Sequence, residues 1–298
     1  MSLRAIPSLL KETAIEWHAD RAPRLGAALA FYTLFSLAPL LVVIIAIAAL
    51  GFGREIASAE LIQQIELFIG ADGARVIQST IENTSRPRSG IVATVIGLAT
   101  MLFGTTVVFS ELRDALNSIW KVASKSQRSM ALGIIWDRFL AFSMVLGISV
   151  LLLLSILANA MLKAALPIFG TMLPSHVNWL QTVNFGFSFV IVTLLLTMVY
   201  KVLPEVEIGW EEVLIGAVVT AVLFMVGKFL IELYLRYSTT AVVYGAAGSL
   251  VVLLIWIYYS AQIVYFGAEF TKVYAKYRGH RVVPTADATP VTQEELIR

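Results

Sequence analysis

Six mostly apolar stretches divide the chain: roughly Leu25 to Leu50, Ile91 to Leu112, Ile134 to Leu162, Leu180 to Val202, Val213 to Leu235 and Ala246 to Thr271. About 20 apolar residues in an α-helix cross the ~30 Å interior of a bilayer. Inside lipid a backbone must satisfy its own hydrogen bonds, which a helix does. The pattern predicts an all-α fold, a polytopic transmembrane helical bundle of six spans over residues 25–275, with no soluble domain between them.

The polar intervals add smaller elements. Ile6, Leu9, Leu10, Ala14 and Trp17 recur at helical spacing with Lys11, Glu12 and Glu16 on the other side. Residues 1–24 are therefore expected to hold an amphipathic helix, either lying in the membrane interface or packed on the protein's own loops. Between spans one and two, at about 52–89, two amphipathic helices around a turn at Gly70 to Gly73 predict a short extracytoplasmic hairpin, a cap or a gate. The basic connection around Trp120 suits an interfacial segment near anionic headgroups. Residues 276–298 carry Pro284 and Pro290 among polar neighbours and are expected to be a mobile cytoplasmic tail.

Composition agrees with the pattern: 58% hydrophobic, 14% charged, mean hydropathy +0.82. Charge sets the orientation. With the N-terminus inside, fifteen of the 22 Lys and Arg residues fall on cytoplasmic segments and six outside, with Lys228 left in the membrane, so both termini are expected to be cytoplasmic. Ala46 to Leu50 imitates a signal-peptidase site, but the polar region before it is too long, and an uncleaved first span is expected. Without cysteine, disulfides and thiol chemistry are excluded.

Candidate chemistry lies where charge meets apolar helix. Lys228 and Glu232 are four apart in span five and share a face. They are either a snorkelling Lys with an interfacial Glu or a substrate-binding or gating site, because a charge at mid-bilayer tends to face the bundle interior. Glu111, Arg113 and Asp114 end span two and Glu269 ends span six, with Gln262 two turns deeper. These are either solvated helix ends or an inner gate of Glu269 against Arg113. Pro39 in span one removes a backbone hydrogen bond and favours a kink, which Ser36, near one turn earlier, can ease. His18, His176 and His280 are scattered over three segments, and no metal-ligand spacing or phosphate loop is found. The residues thus offer an enzyme reading no support, and neither metal nor cofactor is expected.

"AALAFYTLFSLAPLL" (Ala27 to Leu41), "ALNSIWKV" (Ala115 to Val122), "LPEVEIGWEEVLIGAVVTAVLF" (Leu203 to Phe224), "GKFLIELYL" and the long block from Tyr244 to Ala275 together resemble the YihY/BrkB family of bacterial inner-membrane proteins. The resemblance implies six spans in a bacterial cytoplasmic membrane. It brings the labels virulence factor and ribonuclease BN, the second without a residue in this chain to carry it. Movement of lipid-linked envelope precursors, connected with some relatives, implies a transporter or flippase. Expected partners are membrane lipids, including an anionic lipid or lipid-linked precursor, but no nucleic acid; small-residue faces permit a homo-oligomer. On this reading Lys228 holds an anionic group, Glu232 tunes it, Pro39 gives flexibility, and Glu269 and Arg113 act at the inner side. The rival reading is a membrane scaffold that transports nothing.

Overall fold

A computed structural model describes residues 6–84, 107–124, 130–169, 179–237, 248–280, 282–285 and 288–291. Its elements are α1 (Ile6–Ala19), α2 (Ala22–Phe52), α3 (Arg54–Thr84), α4 (107–119), β1 (Val122–Ser124), α5 (Met130–Phe169), α6 (Trp179–Val202), β2 (Val206–Glu207), α7 (Trp210–Tyr237), α8 (Gly248–Tyr277), β3 (Val283–Pro284) and β4 (Ala288–Pro290).

The long helices are apolar on their outer face as well as their inner one, unlike those of a water-soluble protein. On α5, Phe139, Phe142, Leu146, Val150, Leu154 and Leu157 form an exposed apolar stripe at helical spacing, while Ala141, Met144, Val145, Leu152 and Ile156 are buried. On α7 the outward positions are Leu214, Val218, Val222, Val226 and Phe229. Apolar contiguous stripes of this length on the outside call for lipid. Four described helices contain membrane-crossing stretches, namely Arg138–Ala158, Phe185–Val202, Trp210–Leu230 and Leu250–Tyr277. A fifth forms if the two arms of α2, Ala22–Leu37 and Leu40–Phe52, inclined at 55°, count as one broken span. The expected span at Ile91 to Leu112 lies, except for 107–112, outside the described residues.

The segment after α2 differs from expectation. Gly53, at φ 82°, donates its N–H to Ala49 O (2.9 Å) and ends α2, and α3 then runs unbroken through Gly70 to Gly73. The expected two-helix hairpin is therefore one helix. A glycine inside a helix costs ~1 kcal/mol, which burial of Ala57 and Leu61 before these glycines and Ala74, Ile77 and Ile81 after them offsets. α3 packs against α2, α5, α7 and α8.

α7 and α8 cross closely because each offers the other a glycine. Gly216 faces Thr271 and Gly267 faces Thr220, so a Cβ at either glycine would collide with the opposing hydroxyl. Both threonines bond their own helix, Thr220 to Gly216 O and Thr271 to Gly267 O (2.7 Å each). The fully buried Tyr200 of α6 closes the joint by donating to Val264 O at 2.7 Å.

One end of the bundle carries both α1 and the C-terminal strands. β1 pairs antiparallel with β4 and β2 with β3. Thr285 N–H reaches Glu205 O and Val291 N–H reaches Lys121 O, at 3.0 Å each. Gly279 (φ 80°) ends α8 with the Gly279 N–H on Lys276 O and the His280 N–H on Ala275 O, which turns the chain back over this face. The expectation of a mobile tail is thus corrected for 282–285 and 288–291. Their backbone groups pair with the loops after α4 and α6, and the two prolines sit at strand ends, where a missing N–H is tolerated.

Candidate functional site

The charged centre of this terminal face arises from two complementary ladders. Glu12, Glu16 and Asp20 recur every four residues at the end of α1, and Glu269, Lys272 and Lys276 recur at three and four near the end of α8. The helices lie antiparallel, so that Lys276 meets Glu12 (3.3 Å) while Lys272 meets Glu16 and Asp20 (3.2 Å each). Apolar contacts hold them together: Leu9 packs with Phe270, Val273 and Tyr274, and the Phe270 and Tyr274 rings stack at 6.2 Å.

Lys272 is the hub. Its Nζ also lies 2.6 Å from Glu269 Oε2, one turn back, and donates to Ile119 O at 2.9 Å. Lys121, held in the left-handed region (φ 56°) where α4 ends, reaches Asp20 Oδ1. One cluster therefore ties α1, α8 and the end of α4. The Glu269 side chain is 0% exposed and that of Asp20 1%, so both depend on these cations for their charge. Burial pushes the Asp20 carboxyl up, but the hydrogen bond from Lys121 and the charges of Lys272 and Lys121 outweigh it and hold the group below its ordinary value.

A pocket of about 530 Å³ adjoins the cluster, lined by Glu16, Lys121 and Lys272 together with Trp120 and, from the C-terminal strands, Pro284 and Pro290. Carboxylate oxygens of Glu16, Asp20 and Glu269 lie within 4.8 Å of one another, a spacing a metal ion could use. Lys272 and Lys121 already supply positive charge there, so the donor set fits an ammonium better than a metal. Around the pocket, Arg278 grips Glu211 with two hydrogen bonds (2.7 and 3.0 Å), His280 Nδ1 lies 2.8 Å from the buried Glu212, and Ser124 bonds Glu205.

Of the residues singled out in the sequence, the described contacts bring Glu269 into this cluster. Gln262, two turns deeper on α8, sits in the notch at Gly26 and donates to Ala22 O at 3.5 Å, locking α8 to α2. Arg113 is buried on α4 with Nε 3.9 Å from Asp114, and Glu111 is half-buried on the same helix. Lys228 is half-buried on α7, while the Glu232 side chain lies outside the described residues, as does that of Pro39. Ser36 is buried on α2 beside the bend. Asp20, Lys121 and Lys272 were counted in the sequence only as flanking charges, or not at all. The signal that could have found them is the match between the acidic ladder of α1 and the basic one of α8.

Comparison with known proteins places this geometry in context. A family model described as Virulence factor BrkB matches residues 14–292. A UPF0761 membrane protein of Psychromonas ingrahamii is 29% identical over 248 residues, covering 82% of this chain and 79% of its own. Another, of Tolumonas auensis, is 26% identical over 285 residues, covering 90% and 85%. A third, of Alcanivorax borkumensis, is 25% identical over 276 residues, 92% of this chain but 62% of its own; against a relative of Stenotrophomonas maltophilia the chain spans 60% of that protein's length. No solved structure matches.

Proposed function

The chain belongs to the Virulence factor BrkB family and is an integral membrane protein, and from that premise we propose that it translocates an anionic amphiphile, a lipid or lipid-linked envelope precursor, across a bacterial inner membrane. The terminal face is then cytoplasmic, as the bias of Lys and Arg toward its segments favours. The observation that carries the reading is the cluster of Glu16, Asp20, Glu269, Lys121 and Lys272 beside an open pocket, with Asp20, Glu269 and Lys272 withdrawn from solvent. Buried charges at a membrane boundary are costly and tend to mark a path or a gate.

In this mechanism the cluster is the closed inner gate. Separating α1 from α8 exposes Lys272 and Lys121, whose ammonium groups exchange their carboxylate partners for the anionic headgroup. Gln262 lies two turns deeper along α8, Lys228 and Glu232 act further along α7, and Arg113 with Glu111 borders the entrance on α4. The bend beside Ser36 and Pro39 lets the lower arm of α2 move with α1. The experiment is reconstitution into vesicles bearing fluorescent phosphatidylglycerol, with transfer between leaflets read by quencher accessibility. Transfer above protein-free vesicles, reduced by Lys272→Met, is expected. Transfer no faster than in protein-free vesicles rejects the reading for this lipid class.

A second reading, a scaffold that transports nothing, is favoured by one observation: Lys272 has four oxygen partners within 3.2 Å and so no spare donor for a ligand. In a scaffold that cluster never opens. Distance measurements between spin labels on α1 and α8 in the membrane separate the two, since a scaffold gives one distance and a gate gives two.

A further inference from the structure

Within the terminal-face cluster, Glu269 is the charge with the poorest solvation. Its side chain is 0% exposed, and neither carboxylate oxygen receives a hydrogen bond among the described residues. The three protons of the Lys272 ammonium go elsewhere, to Glu16, Asp20 and Ile119 O at 2.9–3.2 Å. Glu269 Oε2, 2.6 Å from Lys272 Nζ, is thus held by charge without a donated proton. One turn deeper on α8, the hydroxyl of Tyr265 is also fully buried and without a hydrogen bond.

The other charges around Glu269 do not replace Lys272. From α1 come Glu16 and Asp20, with carboxylate oxygens within 4.8 Å of its own. Lys121, after α4, is turned to Asp20. Deeper on α4, Arg113 Nε lies 3.9 Å from Asp114, and Glu111 acts on Tyr265 through its charge. Among the described residues no ion pair joins Glu269 to α2, α3 or α7. A buried carboxylate keeps its charge only while a cation stands beside it. When the cation leaves, a proton takes its place, because the neutral acid needs no counter-charge.

We propose that Glu269 is a proton-binding site, loaded when Lys272 leaves it for the anionic headgroup. The step balances. Lys272 passes from Glu269 to the headgroup, and one proton from solvent in the adjoining pocket bonds to a Glu269 carboxylate oxygen; it is returned there when Lys272 comes back. Proton and anion enter together, so the apolar interior gains no net charge. This inference rests on the translocation reading and deepens it, since binding of the anion becomes linked to binding of a proton.

Lys272→Met puts Glu269 in the state the open gate gives it, without any lipid. Infrared difference spectra of the full chain in detergent, taken across an acid–base titration, read its protonation. At neutral pH this variant is expected to show the carbonyl stretch of a protonated carboxyl, absent from the wild type and from the double variant Lys272→Met, Glu269→Gln. A single variant without the band, or a double variant that keeps it, overturns the proposal. Should Lys272→Met fail to fold, Lys272→Gln, which keeps a hydrogen-bond donor but not the charge, takes its place under the same criteria. Calorimetric titration with dihexanoyl phosphatidylglycerol, in buffers of different ionisation heat, counts the protons: uptake of about one per lipid bound is expected in the wild type and none in Glu269→Gln. Binding without uptake overturns the proton site and leaves the translocation reading standing. Absence of binding counts against that reading instead, and the infrared band, which needs no lipid, decides the proton site.

Discussion

Lys272→Met is the substitution on which the terminal-face cluster makes its sharpest demand. The side chain is 12% exposed and its Nζ serves Glu269, Glu16, Asp20 and Ile119 O. Met keeps the length of the apolar stem but removes the charge. Glu269 then loses the cation it meets among the described residues, and Asp20 loses one of its two described cations, keeping Lys121. Removing one partner of a buried pair costs about 3–5 kcal/mol, because the other charge is left uncompensated. Glu269→Gln should cost only about 1 kcal/mol, since Lys272 retains Glu16, Asp20 and the backbone carbonyl. The two changes address the same imbalance, so the double variant should be at least ~1 kcal/mol more stable than the sum of the single effects predicts. Unfolding in mixed micelles, followed by tryptophan fluorescence, reads all four corners of the cycle, and Trp17 and Trp120 report from α1 and from beside Lys121. A Lys272→Met loss below ~1 kcal/mol, the range of a solvent-exposed pair, together with additive effects, would refute the description of the cluster as buried and coupled.

Three further outcomes follow from the same geometry. Gly267→Ala drives a methyl into Thr220 and Tyr200 and should cost about 1–3 kcal/mol by overpacking; Thr220→Ala in that background should recover part of it in the same unfolding assay. Asp20 has its carboxyl held below the ordinary value near 4, so its stabilisation is complete above that value and is lost as pH falls through the lower, folded one. Acid titration of stability should therefore be flatter below about pH 4 in Asp20→Asn than in the wild type, and parallel curves count against the assignment. Truncation after His280 removes both strand pairings and should open the 122–124 and 206–207 loops to limited proteolysis; an unchanged cleavage pattern contradicts the fastening described for 282–285 and 288–291.

The membrane helices were readable because lipid imposes a simple rule, apolar runs of a set length, which Arg138–Ala158, Phe185–Val202, Trp210–Leu230 and Leu250–Tyr277 obey. α3 was less readable. Its glycines at 70 and 73 carry the local signal of a turn, and only packing against four other helices, invisible in the linear pattern, makes one helix of it. The C-terminal strands posed the same difficulty, since Val283 and Ala288 are ordered by partners 76 and 164 residues away in the chain. At the site, Glu269 stood out as a charge at the end of an apolar run. Asp20, Lys121 and Lys272 looked like ordinary flanking charges, because what distinguishes them is a three-way junction of α1, α8 and the end of α4.

The central claim is that α1 must leave α8 for an anionic amphiphile to pass, and the absence of natural cysteine allows it to be tested directly. Glu12 and Lys276 form an exposed ion pair at 3.3 Å beside the cluster, joining these helices without belonging to the buried network. Glu12→Cys with Lys276→Cys, bridged by a reducible bifunctional thiol reagent in vesicles bearing fluorescent phosphatidylglycerol, holds the gate shut. The account predicts that transfer between leaflets stops on bridging and returns on reduction. Transfer at the same rate in the bridged and reduced protein would contradict it.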